Sequence, residues 1–320
     1  MIKSKLIGSI IIAYFCTYRQ LFAQDNNDEP TFFTGLSPVI LHQNEAEIYF
    51  TNSLTSYWNV QKQYDPDFAT GIFVDRKRYT KAEHTLRGSY GFAKNKKWDL
   101  GLEVKFAEAR LDEAARSSPL RVFGNDSTGG KSYRNFTAIG LRLRASPFKN
   151  IPELTLQGTI YYPQSSHSST ETELILLDAQ NVKTVLTATY YLKSGEYLNF
   201  FFQGDWLTTF KSGYSDRTVH SPNLSSLAVV RIGGGHWNIF GGLNYGMDFR
   251  QFSTGSLYLW DQHLFGSGGV FYQPTPVFSV VLSGQIPLFY QSTLPYVEFV
   301  RESYLGFSLG IRSLLNSVKK

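Results

Sequence analysis

The chain has 320 residues, of which 16% are aromatic and 27 are glycine, and its formal net charge is +5. The only cysteine, Cys16, lies in an N-terminal segment that we predict to be cleaved, which excludes disulfides, thiolate metal sites and cysteine nucleophiles from the mature protein. Three of the 31 basic residues leave with that segment, so 28 remain against 26 acidic ones, and we predict no nucleic-acid partner.

The first 23 residues have the three parts of a secretory signal peptide. Lys3 and Lys5 form a basic start, residues 6–18 are mostly apolar but too few to span a membrane comfortably, and Ala23 precedes a polar, acidic stretch. We therefore predict export and cleavage after Ala23. Residues 24–43 are then a periplasmic segment, and its apolar part, 31–41, is a candidate plug for a narrow lumen.

Beyond the signal peptide, apolar and polar residues alternate with a period of two, which is the period of a β-strand. One face of the segment 98–107 is apolar, and it consists of Trp98, Leu100, Leu102, Val104 and Phe106. The sequence contains no apolar run of about 18 residues after the signal peptide, so it predicts no transmembrane helix. Any structure that spans a membrane would therefore be a closed barrel, because only closure pairs every backbone group of a sheet.

Twelve segments of this kind predict twelve strands. They are 45–58, 80–93, 97–108, 133–146, 153–163, 182–193, 197–208, 226–234, 237–249, 263–273, 277–288 and 303–312.

The connections between these segments alternate strictly between short turns and long polar loops. The long ones are 59–79, 109–132, 164–181, 209–225, 250–262 and 289–302. Bacterial outer-membrane barrels have short periplasmic turns and long extracellular loops, whereas a soluble sandwich has no reason to separate them. We predict an all-β, transmembrane, antiparallel up-and-down β-barrel of about 12 strands over 44–313, with a C-terminal tail over 314–320, in the outer membrane of a Gram-negative bacterium.

Tryptophan positions agree with this interpretation, because aromatic rings favour the two interfaces between membrane and water. Trp98 and Trp237 begin their strands beside short turns, and Trp58 and Trp206 lie near long loops, all four on the apolar face. Trp260 falls in a predicted loop.

The polar faces of the strands predict what lines the lumen. In the first half the inward candidates are charged, namely Glu83, Arg87, Asp99, Glu103, Lys105, Arg134, Arg142 and Arg144. In the second half the inward candidates are partly apolar, namely Tyr191, Phe201, Phe240, Phe271 and Val281. Polar residues such as Asp205 lie between them. The charged residues either pair with one another and fill the lumen or form a solute-selective constriction. We expect Arg142 or Arg144 to lie across from Glu103.

The sequence predicts no catalytic site, no metal and no cofactor. Twelve-stranded outer-membrane phospholipases carry a His and a Ser two residues apart, followed at once by Asn. The stretches His220-Ser221-Pro222-Asn223 and Ser166-His167-Ser168, both in predicted loops, do not match that pattern. We interpret His84 and His263 as interfacial residues.

The opening segment Phe33-Thr34-Gly35-Leu36-Ser37-Pro38, together with the signal peptide and the twelve-strand pattern, resembles the family of MetA-pathway-of-phenol-degradation proteins and, more distantly, the long-chain fatty-acid transporters. The resemblance covers nearly the whole mature chain. It implies the passage of apolar or aromatic small molecules. The chain departs from many bacterial barrels because it does not end on an aromatic residue: its last aromatic residue is Phe307.

The sequence thus favours a porin-like channel or transporter for a small, apolar or aromatic solute, embedded in outer-membrane lipid. The alternative is a closed structural or secretion-associated barrel that binds a periplasmic or surface protein partner.

Overall fold

The computed structural model describes residues 40–64, 71–94, 98–114, 116–124, 129–164, 181–195, 197–211, 218–232, 236–251, 255–292 and 297–315. The predicted signal peptide, its cleavage site and most of the predicted periplasmic segment lie outside the described residues.

Twelve strands form a closed barrel, which confirms the predicted number and order. Their bounds are β1 Ala46–Tyr64, β2 Gly71–Gly91, β3 Trp98–Asp112, β4 Gly130–Ala145, β5 Leu154–Pro163, β6 Lys183–Lys193, β7 Leu198–Thr209, β8 Thr218–Ile232, β9 Trp237–Gln251, β10 Leu257–Thr275, β11 Phe278–Ser292 and β12 Val297–Leu315. Each strand pairs antiparallel with its neighbours in the sequence, and β12 pairs with β1 to close the sheet.

The two faces of the wall differ as the alternation predicts. On β1, Ile48 and Phe50 point outward and are exposed, whereas Glu47 and Tyr49 between them are buried inside the barrel. On β4 the outward Leu141 and Leu143 alternate with buried Arg142 and Arg144 in the same way. The apolar outer surface and the charged interior are thus the reverse of the arrangement in a water-soluble protein.

The five connections predicted as short turns lie at one end of the barrel, and the six predicted as long loops lie at the other, where 252–256 and 293–296 are as short as the turns. We call the end that carries the connections 92–97, 146–153, 194–197, 233–236 and 276–277 the turn end, and the opposite end the loop end. Both ends of the barrel sequence, at Ala46 and Leu315, lie at the turn end, where they are paired with each other.

Several predicted loops are shorter than expected, because the strands continue into them. β1 ends at Tyr64 and β2 begins at Gly71, so six residues replace a predicted loop of 59–79. Strand β8 likewise begins at Thr218 and contains the stretch from His220 to Asn223, and Trp260 lies on β10 rather than in a loop. A membrane-spanning strand needs about 9–11 residues. Beyond that length the apolar alternation fades while backbone pairing continues. The strand bounds predicted from the alternation therefore stop before the strands themselves do.

One β-bulge reverses the direction of a predicted lumen residue. The pairing of β3 with β4 shifts between Lys105 and Phe106, so Lys105 pairs with Ala138 but Phe106 pairs with Phe136. Side chains of β4 therefore change face at Thr137. Arg134 shares the outward face with exposed Phe136, and its predicted inward position is wrong.

The connection between β3 and β4 contains a short 3-10 helix, Pro119–Phe123, which contacts β2 and β3. Within the described part of the chain, no helix is long and apolar enough to cross a membrane.

Candidate functional site in the lumen

An ion-pair network fills the side of the lumen formed by β1 to β5 and β12. Glu103 is its centre: Arg87 Nε lies 2.8 Å from its Oε2 atom, Lys105 Nζ lies 3.6 Å from Oε1, and the hydroxyl of Tyr161 donates to Oε1 at 2.8 Å. Gly140 makes the tyrosine contact possible, since a Cβ atom at position 140 would lie 2.7 Å from the ring of Tyr161. Glu83 extends the network to Lys105 at 3.7 Å.

A second group of ion pairs lies nearer the turn end. Arg312 of β12 is 2.8 Å from Glu47 of β1, and Arg144 of β4 is 2.7 Å from Asp99 of β3. The expected pairing of Arg142 or Arg144 with Glu103 is therefore wrong, because Glu103 faces Gly140 in the register and Arg144 faces Asp99. All four side chains are buried, so each charge depends on its partner for stability.

Arg142 differs from the other arginines of the network because it is poorly paired. It is 1% exposed, and its carboxylate contact is with Glu47 Oε1, 4.0 Å from Nη2. Its Nη2 group donates to the hydroxyl of Ser89, whereas its Nε atom is buried without a hydrogen-bond partner. Arg87 and Arg144 repel its charge, whereas Glu47 and Asp99 attract it. A buried guanidinium in this state gains energy from any anion that can reach it.

A cavity of about 300 Å³ lies next to this arginine. Arg87, Arg142 and Arg144 form one of its walls. Asp205 also lines the cavity, and its two carboxylate oxygens accept hydrogen bonds of 2.6 Å from Thr187 and Gln203. Hydrogen bonds from neutral groups leave the negative charge of Asp205 in place, but three arginines and one carboxylate line the cavity, so the lining has an excess of positive charge.

The aromatic residues of the second half are packed together rather than spread around the lumen. Phe201, Phe240 and Phe271 point inward as predicted, and they form one buried cluster near the turn end with Tyr191, Leu227 and Val229. Phe271 is 0% exposed. Val281 packs against this cluster, which we call the floor because it lies near the turn end of the lumen, and its rings are buried against one another.

The last residues of the predicted plug close part of the same end. Ile40 and Leu41 are buried, and the backbone N–H of Leu41 donates to Asp99 Oδ2 at 3.2 Å. The backbone of His42 approaches Gly91 so closely that a Cβ atom at position 91 would overlap its carbonyl oxygen. The remaining plug residues, 31–39, lie outside the described residues.

Six of the ten candidate site residues lie in the charged network or line the cavity. Asp205 also lines the cavity, and the three phenylalanines lie in the floor. The six are Glu83, Arg87, Glu103, Lys105, Arg142 and Arg144. Their roles in binding a solute stay predictions. The sequence reasoning missed Tyr161 and Arg312 as partners of the network. Tyr161 lies between outward Ile160 and Tyr162, so the alternation along β5 indicates that it points inward. An aromatic residue is equally typical of the outer face, however, and residue type alone does not distinguish the two.

Histidine and serine side chains of β8 do not form a catalytic pair. Neighbouring residues of a strand point to opposite faces, so His220 bonds to Thr208 on the outside while Ser221 donates to Asp248 on the inside. His263 was interpreted as interfacial, but it lies on the inward register of β10, beside Gly246 and Asn223. In the described ranges, no group of three His, Cys, Asp or Glu side chains could hold a metal ion.

Comparison with known proteins supports the fold. No family model matches the sequence, and no curated protein matches it. An outer-membrane channel from Pseudomonas putida F1 has a TM-score of 0.60 at 11% identity, covering 91% of this chain and 100% of that chain. The β domain of the Bordetella autotransporter BrkA has a TM-score of 0.52 at 11% identity, covering 84% of this chain and 100% of that chain. At such low identity the likeness shows the fold alone, which is that of outer-membrane β-barrels. The resemblance to the phenol-degradation family stays a prediction.

Proposed function

We propose that this protein is an outer-membrane channel for small anionic solutes, which enter from the loop end and bind beside Arg142. Apolar outer faces and aromatic residues at the strand ends support membrane placement, with the turn end in the periplasm and the loop end outside the cell. The poorly paired Arg142 in the wall of a polar cavity is the observation that carries the choice of solute.

The cavity lining is the reason to prefer an anion to the apolar or aromatic solute that the sequence favoured. That expectation came from the resemblance to the phenol-degradation family, and the inward phenylalanines that agree with it pack against one another near the turn end. The cavity itself is surrounded mainly by arginine, hydroxyl and amide groups. The charged network points the same way, because it contains six cations (Lys81, Arg87, Lys105, Arg142, Arg144 and Arg312) and four carboxylates (Glu47, Glu83, Asp99 and Glu103).

Arg142→Gln tests this proposal directly. Single channels in planar bilayers under a KCl gradient should prefer chloride in the unmodified protein. The ratio of chloride to potassium permeability should fall on the order of tenfold in the variant, because an arginine–anion interaction of about 1.4 kcal/mol is lost. Arg134→Gln is the matched control, since it removes the same charge from the outer face and should leave the ratio unchanged. Equal ratios in all three proteins would contradict the role of Arg142.

Uptake by vesicles that contain the pure protein distinguishes the solute classes. Benzoate should enter faster than phenol, and Arg142→Gln should slow benzoate alone. If phenol enters faster than benzoate and the variant does not change its rate, the result would favour the aromatic solute over the anion.

The second candidate function is a closed barrel that binds a protein partner. The packed floor favours it, since the phenylalanine cluster and Ile40–Leu41 are buried at the turn end. A closed scaffold would show neither conductance nor uptake, so the same bilayer recordings separate the two candidates.

The N-terminal segment should limit conductance if the channel interpretation is correct. Deleting residues 24–41 removes buried Ile40 and Leu41 from the turn end and should raise the single-channel conductance severalfold, measured in planar bilayers. The double substitution of Ile40 and Leu41 by alanine should give a smaller rise, whereas Leu141→Ala on the outer face should give none. An unchanged conductance after the deletion would rule out a plug.

A further inference from the structure

The outer face of β2 to β4 changes its chemistry in bands from the turn end to the loop end. Exposed Leu102 and Leu141 lie in its middle part. Nearer the loop end, the rings of Phe106 and Phe136 meet at 5.5 Å, and His84 lies 5.7 Å from Phe106. Rings at this position mark the boundary between lipid chains and headgroups. Residues immediately beyond them on the same face are at headgroup level.

Arginines dominate that headgroup band. Arg134 lies 3.0 Å from Glu108, Arg110 lies 2.8 Å from Asp112, and Arg121 of the 3-10 helix lies 3.2 Å from the same Asp112. Arg78 stands opposite Asp112 in the register of β2 and β3. We call these four arginines and two carboxylates the outer arginine cluster. Arg134 and Arg121 are its accessible cations, with side chains 46% and 30% exposed, whereas Arg110 and Arg78 are buried beneath them.

The 3-10 helix adds apolar side chains to this cationic surface. Val122 is buried against the strands, whereas Leu120 is 65% exposed and Phe123 is 47% exposed. Arg134, whose side chain is 46% exposed, donates to the backbone carbonyl of Phe123 at 3.4 Å. Exposed apolar groups therefore stand directly beside exposed guanidinium groups, on the side of the barrel that carries the lipid-facing residues.

We infer that the outer arginine cluster binds the phosphate of a lipid headgroup, while Leu120, Phe123 and Phe136 contact the acyl chains of the same lipid. Guanidinium groups bind phosphate through paired, charge-assisted hydrogen bonds, and the side chains of Arg121 and Arg134 are partly exposed at this surface. A soluble phosphate would make no use of the three apolar side chains, which is why the surface fits a lipid. The inference rests on the proposed placement in a membrane, but it does not depend on the solute.

Native mass spectrometry of the detergent-folded protein can measure this binding. Phosphatidic acid should be retained at least tenfold more strongly than phosphatidylcholine with the same chains, because choline neutralises the phosphate of phosphatidylcholine, whereas phosphatidic acid keeps its negative charge for the guanidinium groups. The double variant Arg121→Gln/Arg134→Gln should lose about tenfold in affinity for phosphatidic acid. The double variant Lys94→Gln/Lys149→Gln removes two exposed cations at the turn end and should bind like the unmodified protein.

A second pair of substitutions separates a lipid from a free anion. Leu120→Ser/Phe123→Ser should weaken the binding of phosphatidic acid, and inorganic phosphate should not displace the lipid at equal concentration. Equal retention of the two lipids, equal affinity in the arginine variant, or displacement by inorganic phosphate would each overturn the inference. All of these residues lie outside the lumen, so channel conductance should stay unchanged in every variant, and a failure here is distinguishable from a failure of the channel proposal.

Discussion

Replacement of Glu47 by leucine is expected to lower the free energy of unfolding by about 3–5 kcal/mol, the cost of leaving a buried charge without its partner. Glu47 is 2.8 Å from Arg312 and 4.0 Å from Arg142, and all three side chains are almost completely buried. Its loss leaves two guanidinium groups in a space that already contains Arg144. Urea unfolding in detergent micelles, followed by the electrophoretic shift between boiled and unboiled samples, measures the change.

Glu83→Gln is the matched control for this prediction. Glu83 also pairs with two cations, Lys81 at 2.8 Å and Lys105 at 3.7 Å, but its side chain is 28% exposed. Water can replace the lost contact there, so the cost should stay below about 1 kcal/mol. A similar loss of stability in both variants would contradict the prediction that the buried pair of Glu47 and Arg312, which joins β1 to β12, stabilises the closed barrel.

Phe271→Ala should destabilise the barrel by about 3–5 kcal/mol and should open the floor of the lumen. Phe271 is completely buried among Phe201, Phe240 and Val229, and these neighbours are held by separate strands that cannot collapse into the gap. Urea unfolding measures the stability, and planar-bilayer recordings should show a larger single-channel conductance than in the unmodified protein.

Phe307→Ala provides the comparison for that variant, because Phe307 is 45% exposed on the outer face of β12. It should cost less stability and leave the conductance unchanged. If Phe271→Ala were as conductive as the unmodified protein, the solute path would have to avoid the phenylalanine cluster.

The sequence was most informative where structure depends on neighbours along the chain. The alternation of Leu100, Leu102 and Val104 with Gly101 and Glu103 correctly predicted both the strand and its orientation, since side chains of a strand point alternately to two faces. It was wrong for Arg134, because the bulge at Thr137 leaves no apolar or turn signal in the sequence. It was also wrong for the loop around His220, because polar strand extensions beyond the bilayer look like loops.

The candidate site was readable only in part. Inward register identified Glu103, Arg87 and Arg142, but not which of them pair. That choice depends on cross-strand register, which placed Gly140 rather than an arginine opposite Glu103. Likewise, the inward phenylalanines were predicted one by one, but their packing into a single floor follows from the curvature of five strands, β6 to β10, around a narrow lumen.

The sequence by itself determined the number of strands, their antiparallel order and the face that meets lipid, because a period of two and the spacing of turns are local properties of the chain. Only the tertiary structure decided which charges are satisfied and which is left over. Arg312 and Glu47 are 265 residues apart in the sequence and meet because β12 closes on β1, whereas Arg142 is left with a carboxylate contact of 4.0 Å. Barrel closure and cross-strand register bring such residues together. The pattern of residues along one strand carries no information about either.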